Sequence, residues 1–508
     1  MSMLWLLTLS LFLFHSSTDS LSYRANNRIQ LTRALTPLLA SPELRAGFWG
    51  ISIRDSIGNE LFSLNADKHL IPASNHKLLT TAAALHYLGP DYRYRTILYF
   101  RGQAVGDTML VGDFILKGSG DPSFGSREFR TDPLVVWADE LARMGIKRIK
   151  GRLIGDDNVF TEELPDGWDA RQLSREAFSA PPGGLVYRDN LIELWIDAAR
   201  EPGMRPLIYS NPRGYLRIEN KARIHRKRTW SFAMNRPIGS QHILIQGNIP
   251  HRYIGFRELP AFNPTLFTLY SFSEHLKEAG ITPEVELIDI DELREIALYK
   301  DTQPLFVHVS PPLSELITIV NKHSHNLYAE QIFRTLAPQG NPRVAAQKVR
   351  RFLRKLGIST AGLSIRDGAG LSRKNLVSPS TFTALLTAMQ HHPMGAYFYA
   401  SLPQGGEPET TLENRLHDVP LRAKTGSLEF VRALSGYVRS ATGAPLSFSI
   451  LVNNYTTASY RIEHLMNRMV RTLARVTLQF PQSPDENMQP ASQNQRLYPV
   501  TTTSHENK

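Results

Sequence analysis

The sequence predicts an α+β unit whose chain is interrupted by a long β-rich insertion. Three observations predict it. Helical and strand-like patterns alternate at both ends of the chain. Between about Tyr92 and Pro260 the texture changes to short β-like runs separated by Gly, Pro, Asp and Asn turns. The 508 residues suffice for about three domains. Hydrophobic residues make up 42% and charged residues 21%, a globular composition that excludes wholesale disorder. There is no cysteine, which excludes disulfides, thiol nucleophiles, thiolate metal sites and a lipid-modified cysteine.

Met3 to Phe14 is an almost unbroken apolar run, too short to span a bilayer as a helix and of the length of a signal-peptide core. Small residues up to Ser20 follow it, so residues 1–20 are expected to be an export signal and the protein periplasmic. Asn27–Leu39 has helical spacing, with Pro37 as an early stop. Phe48–Arg54 and Glu60–Leu64 read as two strands joined by a turn at Asp55–Asn59. Lys77–Leu88 is apolar nearly all round, which predicts a core helix ending at Gly89-Pro90.

In the insertion, Arg95–Phe100, Thr108–Val111, Ile115–Leu116, Arg152–Ile154, Leu191–Asp197 and His242–Gln246 read as strands, and Leu134–Met144 as a helix. Helical periodicity returns at Leu266–Ala279 and at Leu313–Leu336, the latter in two pieces. Val344–Leu356 is amphipathic, with a basic face that an ordinary solvated helix would also show. Val431–Arg439 and Ser447–Val452 read as a hairpin, and Arg461–Leu473 as a last helix. The expected division is 21–91 and 292–478 for the catalytic unit, 92–155 and 263–291 for one inserted domain, and 156–262 for a second. A polar tail, 479–508, has the composition of disordered chain.

Three short motifs carry chemistry. Ser74 opens the core helix, where unpaired N–H groups and the helix dipole favour negative charge, and Lys77 lies one turn further on. A serine hydroxyl needs a base, and a buried lysine with a lowered pKa can be one. An N-cap serine followed by a first-turn lysine has the same pattern. Ser324-His325-Asn326 falls between two helical runs and can offer a hydroxyl and an amide to a cleft, or form a plain polar turn. Lys424-Thr425-Gly426-Ser427 precedes the hairpin, where a lysine and a hydroxyl can meet a carboxylate and a glycine permits close approach.

In this order the three motifs resemble the signature set of penicillin-binding proteins and serine β-lactamases. Ser324 lies 250 residues after Ser74, and Lys424 lies 98 after Asn326. A first gap that long resembles the class C low-molecular-mass penicillin-binding proteins, the D-alanyl-D-alanine carboxypeptidase/endopeptidase family. Val309–Glu315 with Asn321–Glu330, and Arg366–Arg373, resemble further segments of that family, as do Gly118–Ser123 and Pro165–Trp168. His325 stands where the family usually has Asp or Asn, and Ala369 where it usually has Ser. Pro181-Pro182-Gly183-Gly184 is also unusual, and the sequence alone assigns it no role.

The resemblance implies a transpeptidase-like fold, a five-stranded antiparallel sheet between helices with inserted β-rich domains. It implies an acyl-enzyme on Ser74, with Lys77 as base and Ser324 relaying a proton. Asn326, Lys424, Thr425, Gly426 and Ser427 would bind a peptidoglycan stem peptide, and Asp156 and Arg373 its far end. β-Lactams would be covalent inhibitors, and no metal or cofactor is implied. A β-lactamase or esterase on the same fold, or a non-catalytic wall-binding protein, are the alternatives; the intact motif residues disfavour the latter. Net charge is +11, from 58 Lys and Arg against 47 Asp and Glu. Charge alone would suggest a nucleic-acid binder, with Lys221, Arg223, Arg226, Lys227, Arg228 and Trp230 as its patch. Export argues against nucleic acid, and contact with an acidic sacculus or membrane surface accounts for the charge equally well.

Overall fold

The computed structural model describes residues 23–479 apart from 162, 170–172, 174, 227–229 and 294–297. The expected signal segment and nearly all of the expected tail, from residue 480, lie outside the described residues.

The chain opens with a helix over residues 23–39, which continues through Pro37 because Leu31, Leu35 and Leu38 are buried on one face. β1 (Phe48–Arg54) and β2 (Glu60–Leu64) form the hairpin that the sequence predicts. A 3₁₀ turn, Ala73–His76, leads into the core helix Lys77–Leu88, whose first nine residues are all buried. The chain then leaves this unit and returns after residue 309. Helices follow at Leu313–Lys322, Asn326–Thr335, Pro342–Lys355, Pro379–Gln390 and Gly395–Ser401. The strands of the return are β14 (Leu421–Leu428), β15 (Val431–Arg439) and β16 (Pro445–Asn453), and the helix Ser459–Arg475 ends the unit.

One antiparallel sheet, in the order β14-β15-β16-β1-β2, joins the two ends of the chain. β16 lies at its middle and is buried over all but its first residue, so helices must cover both faces. The helix Ser459–Arg475 and the helix 23–39 cover one face, through Ile462, Leu465, Met469, Leu31 and Leu35. The other face meets Leu385, Leu386 and Met389 of Pro379–Gln390, behind which the core helix is packed.

The insertion contains two nested bodies. The outer one is a mixed five-stranded sheet, β12-β5-β4-β3-β13, built from β3 (Arg95–Val105), β4 (Met109–Lys117), β5 (Arg148–Asp156), β12 (Thr282–Asp289) and β13 (Gln303–Val309). β4 to β5 and β5 to β12 are parallel, so each needs a long crossover. The helix Pro133–Arg143 lies in the first crossover and Pro264–Glu278 in the second, and both bury their apolar faces against the sheet. This body is therefore α/β rather than purely β-rich, and β13 carries it past the boundary at 291 to residue 309.

The inner body sits inside the second crossover. It consists of two three-stranded sheets, β11-β6-β7 and β8-β10-β9, made of β6 (Leu191–Asp197), β7 (Leu207–Asn211), β8 (Arg217–His225), β9 (Ala233–Asn235), β10 (His242–Pro250) and β11 (Ile254–Pro260). Of its basic patch, Lys227 and Arg228 lie outside the described residues. Lys221 pairs with Glu219 at 2.6 Å, and Trp230 packs edge-on against Tyr253.

The described residues between 157 and 190 belong to neither small sheet. They run back to the catalytic unit and lie along the helix Asn326–Thr335. Gln331 clasps Gly183 from both sides, accepting its N–H at 3.2 Å and donating to its carbonyl at 2.8 Å. A side chain on Gly184 would meet the Asp157 carbonyl oxygen at 1.9 Å. The Pro-Pro-Gly-Gly segment is thus a stiff strap with two points of close backbone approach. Arg334 makes the second tie. It is fully buried, pairs with buried Glu330 at 3.0 Å, and donates to the Thr161 and Glu163 carbonyls. Arg334→Met leaves Glu330 buried and unpaired, so it should lower stability by about 3–5 kcal/mol in urea unfolding.

Candidate active site

The first motif is held in a strained turn. Ala73 has φ +47°, rare for a residue with a side chain, and Asn75 donates to Ser435 on β15 at 2.6 Å. This sets half-buried Ser74 at the wall of a cleft of about 660 Å³, while Lys77, one turn on, is wholly buried. The Lys77 Nζ donates to Ser74 Oγ at 3.0 Å, Asn326 Oδ1 at 2.6 Å and the Ala369 carbonyl at 2.6 Å. Burial drives its pKa down to about 7, against the opposing pull of Asp367 and Glu330. A near-neutral amine beside a hydroxyl is the arrangement that proton abstraction needs.

The second motif is the link between the helices Leu313–Lys322 and Asn326–Thr335. Ser324 has φ +60° and accepts a hydrogen bond from the Lys424 Nζ at 2.9 Å. Asn326 turns its carbonyl oxygen to Lys77 and its amide N–H to the Phe178 carbonyl, 2.8 Å away. Two histidines flank Ser324, and each faces a carboxylate of the insertion. His323 meets Glu128 at 3.0 Å, and its pKa is raised by that hydrogen bond. His325 lies 3.6 Å from Asp189 and is held below the usual histidine range by burial. His325 therefore replaces the family's usual Asp or Asn with a group that docks on the inserted segment.

The third motif lies on β14, an edge strand. Lys424 is fully buried and bonds Ser324 and its neighbour's carbonyl, that of Thr425, at 2.9 Å each. Burial, then the charge of Lys77, holds it well below the usual lysine range. Thr425 and Ser427 line the cleft. Gly426 does something other than admit substrate. A side chain there would sit 2.9 Å from the Pro72 carbonyl oxygen and 3.1 Å from the Asn75 nitrogen, so glycine lets β14 close on the Ser74 turn. The strand edge towards the cleft can pair with an extended peptide.

The structure brings together Ser74, Lys77, Ser324, Asn326, Lys424, Thr425, Gly426 and Ser427. Arg373 is exposed at the rim and donates to the carbonyl of Glu429, a cleft residue, at 2.9 Å. Asp156 is a correction. It is 5% exposed, bonds Tyr299 and the Asn158 N–H, lies 4.0 Å from Lys117, and does not line the cleft. Its charge is satisfied inside the outer inserted body. Nearby Asp157 converges with Asp289 and Asp291, their carboxylates within 4.8 Å; none of the three lines the cleft.

Sequence reasoning missed the supports. Asp367 is fully buried and accepts from Gly370 N, Ser372 N, Asn375 and Trp168, folding the loop that presents the Ala369 carbonyl to Lys77. Glu330 accepts the Gly368 N–H at 2.6 Å. Phe178, Leu371 and Tyr455 complete the walls. Asp367 and Glu330 stood inside segments of family resemblance, which was the available signal.

Fold and site together define an active-site-serine enzyme of the penicillin-binding type. The chain belongs to the D-Ala-D-Ala carboxypeptidase 3 (S13) family, whose model matches residues 31–476. It is 30% identical over 449 residues to the D-alanyl-D-alanine carboxypeptidase of Actinomadura sp. (strain R39), covering 84% of this chain and 81% of that one. It is 26% identical over 410 residues to D-alanyl-D-alanine carboxypeptidase DacB of Haemophilus influenzae, covering 77% and 82%. The crystal structure of penicillin binding protein 4 (dacB) from H. influenzae superposes with TM-score 0.71 at 24% identity, over 88% of this chain and 98% of that one. The same protein has been solved in complex with a β-lactam.

Two expectations follow. With the Lys77 pKa at about 7, the base is an ammonium below that pH and a free amine above it. The kcat/KM for release of D-Ala from a D-Ala-D-Ala peptide should therefore rise with pH through a limb centred at about 7. Gly370 has φ +84°, and a side chain there would meet the Ala73 carbonyl oxygen at 2.1 Å. Gly370→Ala should displace the Ser74 turn and cost roughly 10²-fold in kcat/KM.

Proposed function

We propose that the protein is an exported D-alanyl-D-alanine carboxypeptidase and endopeptidase of peptidoglycan, acting through an acyl-enzyme on Ser74. The observation that carries this reading is the amine of Lys77 3.0 Å from the Ser74 hydroxyl, at a lowered pKa. Ser74 Oγ attacks the carbonyl before the terminal D-Ala, and its proton passes to Lys77. The backbone N–H groups of Ser74 and Ser427 stabilise the oxyanion. The C–N bond then breaks, and the leaving amine takes a proton through Ser324, beside Lys424. Lys424 and Thr425 hold the terminal carboxylate, and Asn326 holds the peptide amide. Water attacks the ester, releases the shortened peptide and restores Ser74. A cross-link ending in the same way is cut by the same steps. Arg373 at the rim is a contact for the far end of the stem peptide.

A β-lactam offers the same carbonyl and carboxylate and forms a stable ester with Ser74. Export is supported by the apolar run Met3–Phe14 and the small residues after it. Among the described residues no helix is long and apolar enough to cross a membrane.

Labelled penicillin should mark the wild type on a Ser74 peptide and leave Ser74→Ala unmarked. Lys77→Ala should acylate roughly 10²-fold more slowly or worse. Mass analysis of products from muropeptide monomers and cross-linked dimers tests both activities. Unchanged monomers and dimers would overturn the reading.

A further inference from the structure

The positive charge of this protein is concentrated. Residues 331–366 contain eight Lys and Arg and no Asp or Glu, against +11 for the whole chain. Six of the eight, Arg343, Lys348, Arg350, Arg351, Arg354 and Lys355, lie on the helix Pro342–Lys355. Among the described residues none of these six has a carboxylate within salt-bridge distance. Arg350 and Arg354 bond only a carbonyl and a hydroxyl, those of Leu363 and Thr360. Arg366, just beyond, is paired with Asp166. A helix face that served only solubility would normally interleave both signs.

The position of the array matters as much as its charge. The apolar side of the helix, Ala345, Ala346, Val349, Phe352 and Leu353, is buried. It packs at the far end of the core helix, where the Tyr87 hydroxyl donates to the Lys348 carbonyl at 3.1 Å. The Nζ atoms of Lys348 and Lys355 lie 5.6 and 5.8 Å from the Tyr87 ring. Ser74 stands at the opposite end of that core helix, whose twelve residues span about 18 Å. The cleft and the cationic array are thus at opposite ends of one rigid element.

We infer that this helix is an electrostatic docking face for an anionic phospholipid surface, which it meets with the cleft turned away. A 14-residue helix lying flat presents a rod of charge about 21 Å long. Such a rod matches a plane of mobile anionic headgroups. The face carries no exposed aromatic side chain for stacking bases, since Phe352 is buried and Tyr87 is half-buried beneath two lysines. Each cation near an anionic surface contributes about fivefold in affinity, so six suffice for reversible attachment. The attached enzyme would face outward to a polymer substrate while its buried apolar helix face stays in the core.

The test is co-sedimentation of the full chain with vesicles of phosphatidylglycerol and phosphatidylcholine, or of phosphatidylcholine alone. The apolar N-terminal run is common to the wild type and every variant, so the change in acidic-lipid excess between them reports the array. The wild type should bind acidic vesicles at least roughly tenfold more tightly, and the excess should vanish with added salt. Arg351→Glu/Arg354→Glu/Lys355→Glu should abolish that excess while labelled penicillin still acylates Ser74 at the wild-type rate. The milder Arg351→Gln/Lys355→Gln should reduce it about tenfold or more, which keeps the test valid if the triple variant misfolds. Arg351→Lys/Arg354→Lys should retain it. Equal binding to both vesicle types, or wild-type binding by the Gln variant, overturns the inference. Displacement from acidic vesicles by polyglutamate or duplex DNA at equal charge concentration overturns the lipid assignment in favour of a polymer.

Discussion

A lysine side chain with no solvent access is the constraint on which this structure turns. Lys77 can be buried only if its donors find acceptors and its charge is largely suppressed. The three acceptors come from three parts of the chain: Ser74 on the preceding turn, Asn326 on a much later helix, and the Ala369 carbonyl on a loop. Each acceptor is fixed in turn. Asn326 is tied to Phe178, and the Ala369 loop is folded around buried Asp367 and pinned through Gly368 to Glu330. Placing one amine thus fixes the relative positions of four segments, and the cleft is the space left between them.

The insertion is part of that arrangement and not an appendage. Its return segment supplies Phe178 to the cleft wall and the strap that Gln331 clasps. Its Glu128 and Asp189 face the histidines on either side of Ser324. Ser324 sits in the left-handed region, a conformation that needs support from outside its own tripeptide. The support comes from a body entered some 200 residues earlier in the chain, which explains why the gap between the first two motifs can be long without loosening the site.

What could be read from the sequence was whatever a local pattern determines. Lys77–Leu88, β1, β2 and β6 have the predicted bounds because burial and turn residues mark them within a few positions. The motif residues could be read because their chemistry depends on identity and order. Patterns set by distant partners were misread. The runs Thr108–Val111 and Ile115–Leu116, all but Thr108, lie in one strand, β4, and are separated in the sequence by Gly112-Asp113, which looks like a turn. In the fold, Gly112 lies in register between Gly102 and Gly151 where no side chain fits, and Asp113 bridges Arg101 and Arg152 from the neighbouring strands. β13 was not read because half-exposed edge strands lack a strong alternation. Asp156 shows the remaining limit. Nothing in its neighbours separates a carboxylate that greets substrate from one bonded to Tyr299, 143 residues away.

The two buried lysines also cannot be treated separately. Lys424 is pushed down by burial and then by the charge of Lys77, so the resting site resists carrying two ammonium groups. An anionic substrate terminus changes this balance. A carboxylate placed at Thr425 beside Lys424 would favour the charged form of that lysine, since an opposite charge at contact raises a depressed amine pKa. The resulting ion pair is neutral overall, so it adds no second buried cation beside Lys77, whose own pKa is already lowered by burial. A neutral peptide end offers Lys424 no such partner. The electrostatics of the lysine pair therefore favour a ligand that brings its own negative charge to Lys424.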